Sequence, residues 1–155
     1  MSKNVRFFCT LTSLALLFTG GMIYVIYRPK VLLLFFVADK VGVGEWVDSL
    51  RATCGSINWP EWIVYCLPNG LWSWSYVIII EALFCNRPFS ERCLWVSVIP
   101  IIGIVSELMQ CMGLLRGTYD SADLLFYFSA IIPIILFENS KRKILYGQAI
   151  KRQNH

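Results

Sequence analysis

The residues most suited to chemistry lie together in the last third of the chain, between two long apolar stretches. They are three carboxylates, one amide and one guanidinium: Glu107, Gln110, Arg116, Asp120 and Asp123. Carboxylates accept hydrogen bonds from amines and hydroxyls, and a guanidinium holds an anionic group by forked donation. Ionisable groups in or beside a bilayer are costly, and they usually persist because they pair with one another and serve a function. The cluster therefore predicts a polar ligand-binding site.

The composition is typical of an integral membrane protein. The chain has 155 residues, of which 57% are hydrophobic and only 15% are charged. The charges gather in short stretches and leave long uncharged segments between them. The net charge of +4 comes mostly from the two termini, so it indicates membrane orientation rather than nucleic-acid binding. We expect an all-α membrane protein with one domain, residues 1–155, and no separate soluble catalytic domain.

Four apolar segments are candidates for transmembrane helices. Pro68 and Gly70 fall inside the second segment and predict a kink or local unwinding near Asn69. Residues 31–60 contain too short an apolar core to span, so we expect an interfacial or re-entrant segment there. Residues 138–155 form a strongly basic cytoplasmic tail. The four predicted spans cover about residues 7–27, 61–85, 93–112 and 123–137.

The distribution of Lys and Arg predicts the orientation of these spans. Basic residues are in excess on the side of the N-terminus, and the positive-inside rule then places both termini in the cytoplasm. The polar cluster consequently faces the extracytoplasmic side. The nine basic residues of the inner side are Lys3, Arg6, Arg87, Arg92, Lys141, Arg142, Lys143, Lys151 and Arg152, against five on the outer side, Arg28, Lys30, Lys40, Arg51 and Arg116.

Helical spacing groups part of the cluster on one surface. Glu107 and Gln110 share a face of the third span with Pro100 and Gly103, where small residues allow close approach of a neighbouring helix. Asn69 lies at about the depth of Glu107 and is added to the predicted site. An alternative for Asp120 and Asp123 is structural, because an aspartate at the start of a helix caps its free N–H groups. The predicted ligand-binding residues are Asn69, Glu107, Gln110, Arg116, Asp120 and Asp123.

Metal and cofactor sites are not indicated by the sequence. The single histidine, His155, is the last residue, and the six cysteines show no metal-ligand spacing. We expect no metal site and no cofactor. A divalent cation held by the carboxylates is the alternative, because oxygen ligands suit Mg²⁺ and Ca²⁺.

The order of these motifs resembles the VanZ-like membrane protein family. The resemblance covers roughly residues 61–135 and rests on three motifs: Pro68-x-Gly70-Leu71 in one span, Glu107-x-x-Gln110 closing the next, and Gly117-x-x-Asp120-x-x-Asp123 opening the last. It implies a small multi-pass protein of the bacterial cytoplasmic (inner) membrane that acts in the cell envelope. The namesake of the family is associated with low-level resistance to the glycopeptide antibiotic teicoplanin.

Three functions are compatible with these features. The first is a non-enzymatic envelope protein whose extracytoplasmic pocket binds a lipid-linked or glycopeptide-like ligand. The second is an intramembrane hydrolase or transferase of a lipid-linked envelope substrate, with Glu107 and Asp120 or Asp123 as the acid–base pair. The third is a small transporter or flippase, which would need a homo-oligomer to build a wide pathway. Because no activated nucleophile is visible, we favour binding over catalysis.

Overall fold

The computed structural model describes residues 2–30 and 33–136, and all regular secondary structure in these residues is α-helical. This confirms the all-α prediction. The predicted basic tail, residues 138–155, and the last residue of the fourth predicted span lie outside the described residues. The helices are α1 (Lys3–Tyr27), α2 (Leu33–Val41), α3 (Gly44–Cys54), α4 (Glu61–Tyr65), α5 (Leu67–Leu83), α6 (Phe89–Cys111) and α7 (Ser121–Ser129).

Two helices, α1 and α6, are long and apolar enough to cross a membrane. They have 25 and 23 residues, which at about 1.5 Å per residue exceeds the roughly 30 Å of a bilayer core. Ser2 begins α1 as its N-cap and accepts a hydrogen bond from the N–H of Val5 at 3.3 Å. These two helices correspond to the first and third predicted spans.

Proline divides the other two predicted spans. Pro68 has no N–H to donate to the carbonyl of Val64, so α4 ends at Tyr65 and the chain resumes as α5. The break therefore lies at Cys66, before the position near Asn69 that the sequence predicted. Pro133 likewise cannot donate to the carbonyl of Ser129. Consequently α7 ends there, and after a turn the helix resumes over residues 132–136.

Helix α5 is the centre of the bundle and packs against α1, α6 and α7. It runs antiparallel to α1, to which it is joined by reciprocal hydrogen bonds between Ser13 and Ser75, each hydroxyl donating 2.8 Å to the other backbone carbonyl. Small residues allow this close approach between helices. A small residue also allows close packing of α6 against α7. A Cβ on Gly103 would lie 2.4 Å from the ring of Tyr127, so only glycine fits there.

The segment that we expected to be interfacial or re-entrant contains a helical hairpin, α2 and α3. Helix α3 packs against the C-terminal end of α1. The Arg51 guanidinium donates to the backbone carbonyls of Val25 at 2.6 Å and of Arg28 at 2.8 Å. These carbonyls would otherwise have no partner, since the last turn of a helix leaves its carbonyls unbonded. The hydroxyl of Tyr27 adds a 3.0 Å bond to the carbonyl of Cys54. The hairpin is thus fixed to the end of α1.

An ion pair is buried at the opposite end of the bundle. Glu81 near the end of α5 lies 3.2 Å from the Nε of Arg92 on α6, and both side chains are at most 3% exposed. Val77, Val96 and Ala130 form the adjacent apolar core. The two ends of the bundle therefore both contain charged residues below the surface.

Candidate functional site

A polar cavity of about 460 Å³ lies at the end of the bundle where α1 and α6 end and where α5 and α7 begin. Five of the six predicted ligand-binding residues line it: Asn69, Glu107, Gln110, Asp120 and Asp123. Arg116 does not line it. The full lining consists of Arg28, Glu61, Tyr65, Asn69, Glu107, Gln110, Gly117, Thr118, Asp120 and Asp123. The structure therefore places residues from four helices and two connections around a single cavity.

The connection between α6 and α7 brings the carboxylates together. Gly113 at the end of α6 has a φ of +70° and Gly117 has a φ of +147°, backbone conformations that favour glycine. A Cβ on Gly117 would lie 2.7 Å from the Gln110 side chain, so glycine also lets the connection lie against α6. This turn sets the start of α7 beside the last turns of α6.

Asp120 is fixed by bonds from both sides of the cavity. Its carboxylate is the N-cap of α7, accepting a 2.8 Å bond from the N–H of Ala122, and it also accepts a 3.1 Å bond from the thiol of Cys66. The Ala122 N–H, and after it the Cys66 thiol, hold the pKa of Asp120 below its usual value. Its own backbone N–H donates to Glu107 at 3.2 Å. The capping role that the sequence suggested for Asp120 is therefore present, and it is combined with a place in the cavity.

Asp123 is held in a different way. It lies in the first turn of α7 and is buried, and its carboxylate accepts a 3.1 Å bond from the amide of Asn69 on α5. This bond crosses from one helix to the other, so Asn69 orients Asp123 relative to the cavity. Glu107 on α6 is also buried. Both side chains are therefore largely shielded from bulk solvent.

The cation of the cavity is Arg28, which follows the last residue of α1. Its guanidinium lies 4.8 Å from the ring centre of Tyr65 and 5.4 Å from that of Tyr24, and it donates to the carbonyl of Tyr65 at 3.0 Å. Stacking on aromatic faces suits the planar guanidinium. Its Nε is buried and has no hydrogen-bond partner in the described part of the chain. Arg28 thus presents an incompletely bonded cation beside the carboxylates.

Arg116 is exposed instead. The turn after α6 is closed by the N–H of Leu114, which bonds to the carbonyl of Met109 at 2.8 Å, and this leaves Arg116 on the outer surface. The sequence predicted an arginine in the cluster, and the structure puts Arg28 there. The distribution of basic residues placed Arg28 at the same end of the protein as the cluster. Spacing along the chain does not show which helices pack side by side, so the position of Arg28 in the cavity was not predicted. Helical spacing from Asn69 could have found Tyr65 and Cys66, which are four and three residues earlier.

Glu107, Asp120 and Asp123 are three of the four carboxylates that line the cavity, and they have no ion-pair partner among residues 2–30 and 33–136. Their hydrogen bonds come from one amide, one thiol and backbone N–H groups. In the same described residues, no group of three or more His, Cys, Asp or Glu side chains has the arrangement of a metal site. A ligand carrying amines or hydroxyls would supply donors to these carboxylates, and an anionic or carbonyl group on it would suit Arg28.

Comparisons of the chain with protein-family models, with curated proteins and with solved structures gave no match. The resemblance to the VanZ-like family therefore stays a prediction that rests on the three motifs alone.

Proposed function

We propose that this chain is a multi-pass membrane protein of the cell envelope whose polar cavity binds a lipid-linked or glycopeptide-like ligand on the extracytoplasmic side. The observation that carries the proposal is the cavity itself. It gathers four carboxylates that have no ion-pair partner in the described residues, and one arginine whose Nε has no hydrogen-bond partner there. Such a set is costly to fold, and a ligand that completes its hydrogen bonds offsets that cost.

The low burial of the long helices supports a membrane location. Only 11% of the apolar window of α1 and 22% of that of α6 is buried inside the protein. The core helix of a soluble protein would be mostly buried, whereas here residues such as Phe8, Phe18 and Ile102 are more than half exposed. Contiguous exposed apolar surface of this kind favours contact with lipid.

Four spans with both termini in the cytoplasm agree with the helix directions. Helices α1 and α6 run one way, and α5 and α7 run the other way. With Lys3 and Arg6 inside, the polar cavity then opens on the outer side. The α2–α3 hairpin, packed at the outer end of α1, occupies the interface, where the exposed Trp46 and Phe36 contact headgroups and acyl chains.

An amphipathic ligand fits the neighbourhood of the cavity. A small apolar pocket of about 180 Å³ lies between α1, α5 and α7 and is lined by Leu67, Leu71 and Phe126, among others. Leu67 and Gly70 of this pocket flank Asn69 of the polar cavity in sequence. A polar head in the cavity and an apolar group in the neighbouring pocket match the chemistry of a lipid-linked or lipoglycopeptide ligand. Teicoplanin, suggested by the family resemblance, is the first ligand to test.

The test compares two substitutions that remove charge from the cavity with one that removes charge elsewhere. We expect Glu107→Gln and Asp123→Asn to weaken binding of teicoplanin to the purified protein by roughly tenfold to a hundredfold, because each removes one charge-assisted hydrogen bond. Calorimetry on protein in lipid nanodiscs measures this. The same variants should abolish any gain in teicoplanin tolerance of bacteria that express the protein at normal membrane levels.

The matched control is Glu45→Gln, which makes the same charge change on an exposed residue of α3 that does not line the cavity. It should bind as the unchanged protein does. If both cavity variants bind and protect as well as the unchanged protein, the carboxylates do not hold a ligand and the proposal fails.

A further inference from the structure

A second cavity lies at the other end of α1 and differs from the first in its chemistry. It is a groove of about 580 Å³ between the first turns of α1, the middle of α5 and the helical segment of residues 132–136. Its walls are almost wholly apolar and include Val5, Phe8, Thr12, Trp74, Ile78 and Pro133. Its volume falls in the range of about 300–1,000 Å³ that small-molecule sites occupy.

The mouth of this groove is positively charged. Asn4 and Val5 of the lining lie between Lys3 and Arg6, which are both exposed, and the first turn of α1 has no acidic residue. The N-terminal end of the helix dipole adds positive potential at the same place. An apolar groove with a basic mouth is complementary to a molecule with a hydrocarbon chain and an anionic head.

We propose that the groove holds an acyl chain of an anionic phospholipid of the cytoplasmic leaflet, with its phosphate against the basic residues at the start of α1. Hydrocarbon fills the apolar walls, and each Lys or Arg near the surface attracts anionic lipid. The inference rests on the membrane location proposed above, but it does not depend on the polar cavity at the opposite end of the bundle.

The test uses Trp74, whose indole lines the groove and donates to the hydroxyl of Ser129 at 2.9 Å. The protein is reconstituted in phosphatidylcholine bilayers that contain a small fraction of either phosphatidylglycerol or phosphatidylcholine with brominated acyl chains. Bromine quenches the fluorescence of an indole that it contacts. The quenching that comes from Trp74 is the difference between the quenching of the unchanged protein and that of Trp74→Phe. We expect brominated phosphatidylglycerol to reach half-maximal quenching of Trp74 at a roughly tenfold lower lipid fraction than brominated phosphatidylcholine, because two basic residues lie at the mouth of the groove.

Trp95 is the matched control, because it is 47% exposed on α6 and does not line the groove. The quenching that comes from Trp95, obtained in the same way with Trp95→Phe, should be equal for the two brominated lipids. The double variant Lys3→Gln, Arg6→Gln should remove most of the preference at Trp74, whereas Arg87→Gln, an exposed charge at the same end of the bundle, should keep it. Asp123→Asn should also keep it, which separates this site from the polar cavity.

Three outcomes would overturn the proposal. Equal quenching of Trp74 by the two brominated lipids would mean that the groove only contacts bulk lipid. Absence of quenching by both would mean that the protein itself, through its own C-terminal residues or a second copy, fills the groove. A preference that survives loss of Lys3 and Arg6 would remove the headgroup contact from the proposal.

Discussion

At one end of the bundle Glu81 is matched by Arg92 in a buried ion pair, while at the other end Glu107, Asp120 and Asp123 surround a cavity and have no ion-pair partner in the described residues. Both arrangements remove carboxylates from bulk water, which is costly. In the first, the protein supplies the opposite charge itself. In the second, the bonds to the carboxylates come from backbone, amide and thiol groups, and the Arg28 guanidinium lies in the same cavity without forming an ion pair with them. The difference suggests that the first arrangement serves the fold and the second serves a ligand.

The largest expected effect is at the buried ion pair. Arg92→Ala would leave the Glu81 charge buried without its cation, which costs roughly 3–5 kcal/mol. The apparent melting temperature in detergent should then fall by roughly 6–20 °C, measured by the loss of the monodisperse peak in size-exclusion chromatography after heating.

Two controls accompany that measurement. Arg87→Ala removes an exposed arginine whose contact with Glu91 is 3.9 Å long, and it should change the unfolding free energy by at most about 1 kcal/mol. The double variant Glu81→Leu, Arg92→Leu replaces the pair with apolar side chains and should recover most of the lost stability. If Arg92→Ala melts like the unchanged protein, the pair does not hold the fold and the contrast between the two ends is lost.

A smaller effect is expected at Asp120, where the cavity and the fold share one side chain. Asp120→Ala removes the N-cap of α7 and should cost about 1 kcal/mol near pH 7. The pKa of Asp120 is lowered in the folded state, so its contribution is fully present above the unfolded pKa of about 3.9 and is lost as the pH falls through the folded pKa below it. The melting difference between the two proteins should therefore shrink on acidification below about pH 4. Asp120→Asn, which keeps an acceptor oxygen, should lose less stability at neutral pH.

The smallest expected change in stability is at Asp123 and Glu107. Asp123→Asn and Glu107→Gln remove one of three neighbouring negative charges and keep an oxygen that accepts the observed bonds. We expect melting temperatures equal to that of the unchanged protein or higher, together with the loss of ligand binding described above. A decrease as large as that of Arg92→Ala would show that these carboxylates stabilise the fold, and the two ends of the bundle would then not differ in kind.

Several features of the protein could be predicted from the sequence because they depend on local pattern. Helical spacing placed Glu107 and Gln110 on one face, and capping was suggested for both Asp120 and Asp123, of which Asp120 is the N-cap of α7. Five of the six predicted residues line one cavity. The break at Cys66 was displaced by three residues from its predicted position near Asn69, since proline frees the carbonyl four residues before it.

Other features depend on which elements become neighbours, and linear sequence does not contain that information. Arg28 reaches the cavity because α1 packs antiparallel on α5 and brings the end of α1 to Tyr65. Arg116 remains on the surface of the protein because the turn after α6, closed by the bond from the Leu114 N–H to the carbonyl of Met109, does not bring it to the cavity. The buried pair of Glu81 with Arg92 likewise depends on the packing of α5 against α6. In each case tertiary packing sets the partner of the residue or its depth.

The two hydrogen bonds from Arg51 to the end of α1 couple distant parts of the molecule mechanically. One of them ends on the carbonyl of Arg28, so the backbone that carries the cation of the cavity is tethered to α3. Any movement of the hairpin relative to the bundle would displace that carbonyl and, through it, the guanidinium between Tyr24 and Tyr65. If the cavity binds a ligand as proposed above, the affinity for that ligand should therefore depend on the position of the hairpin.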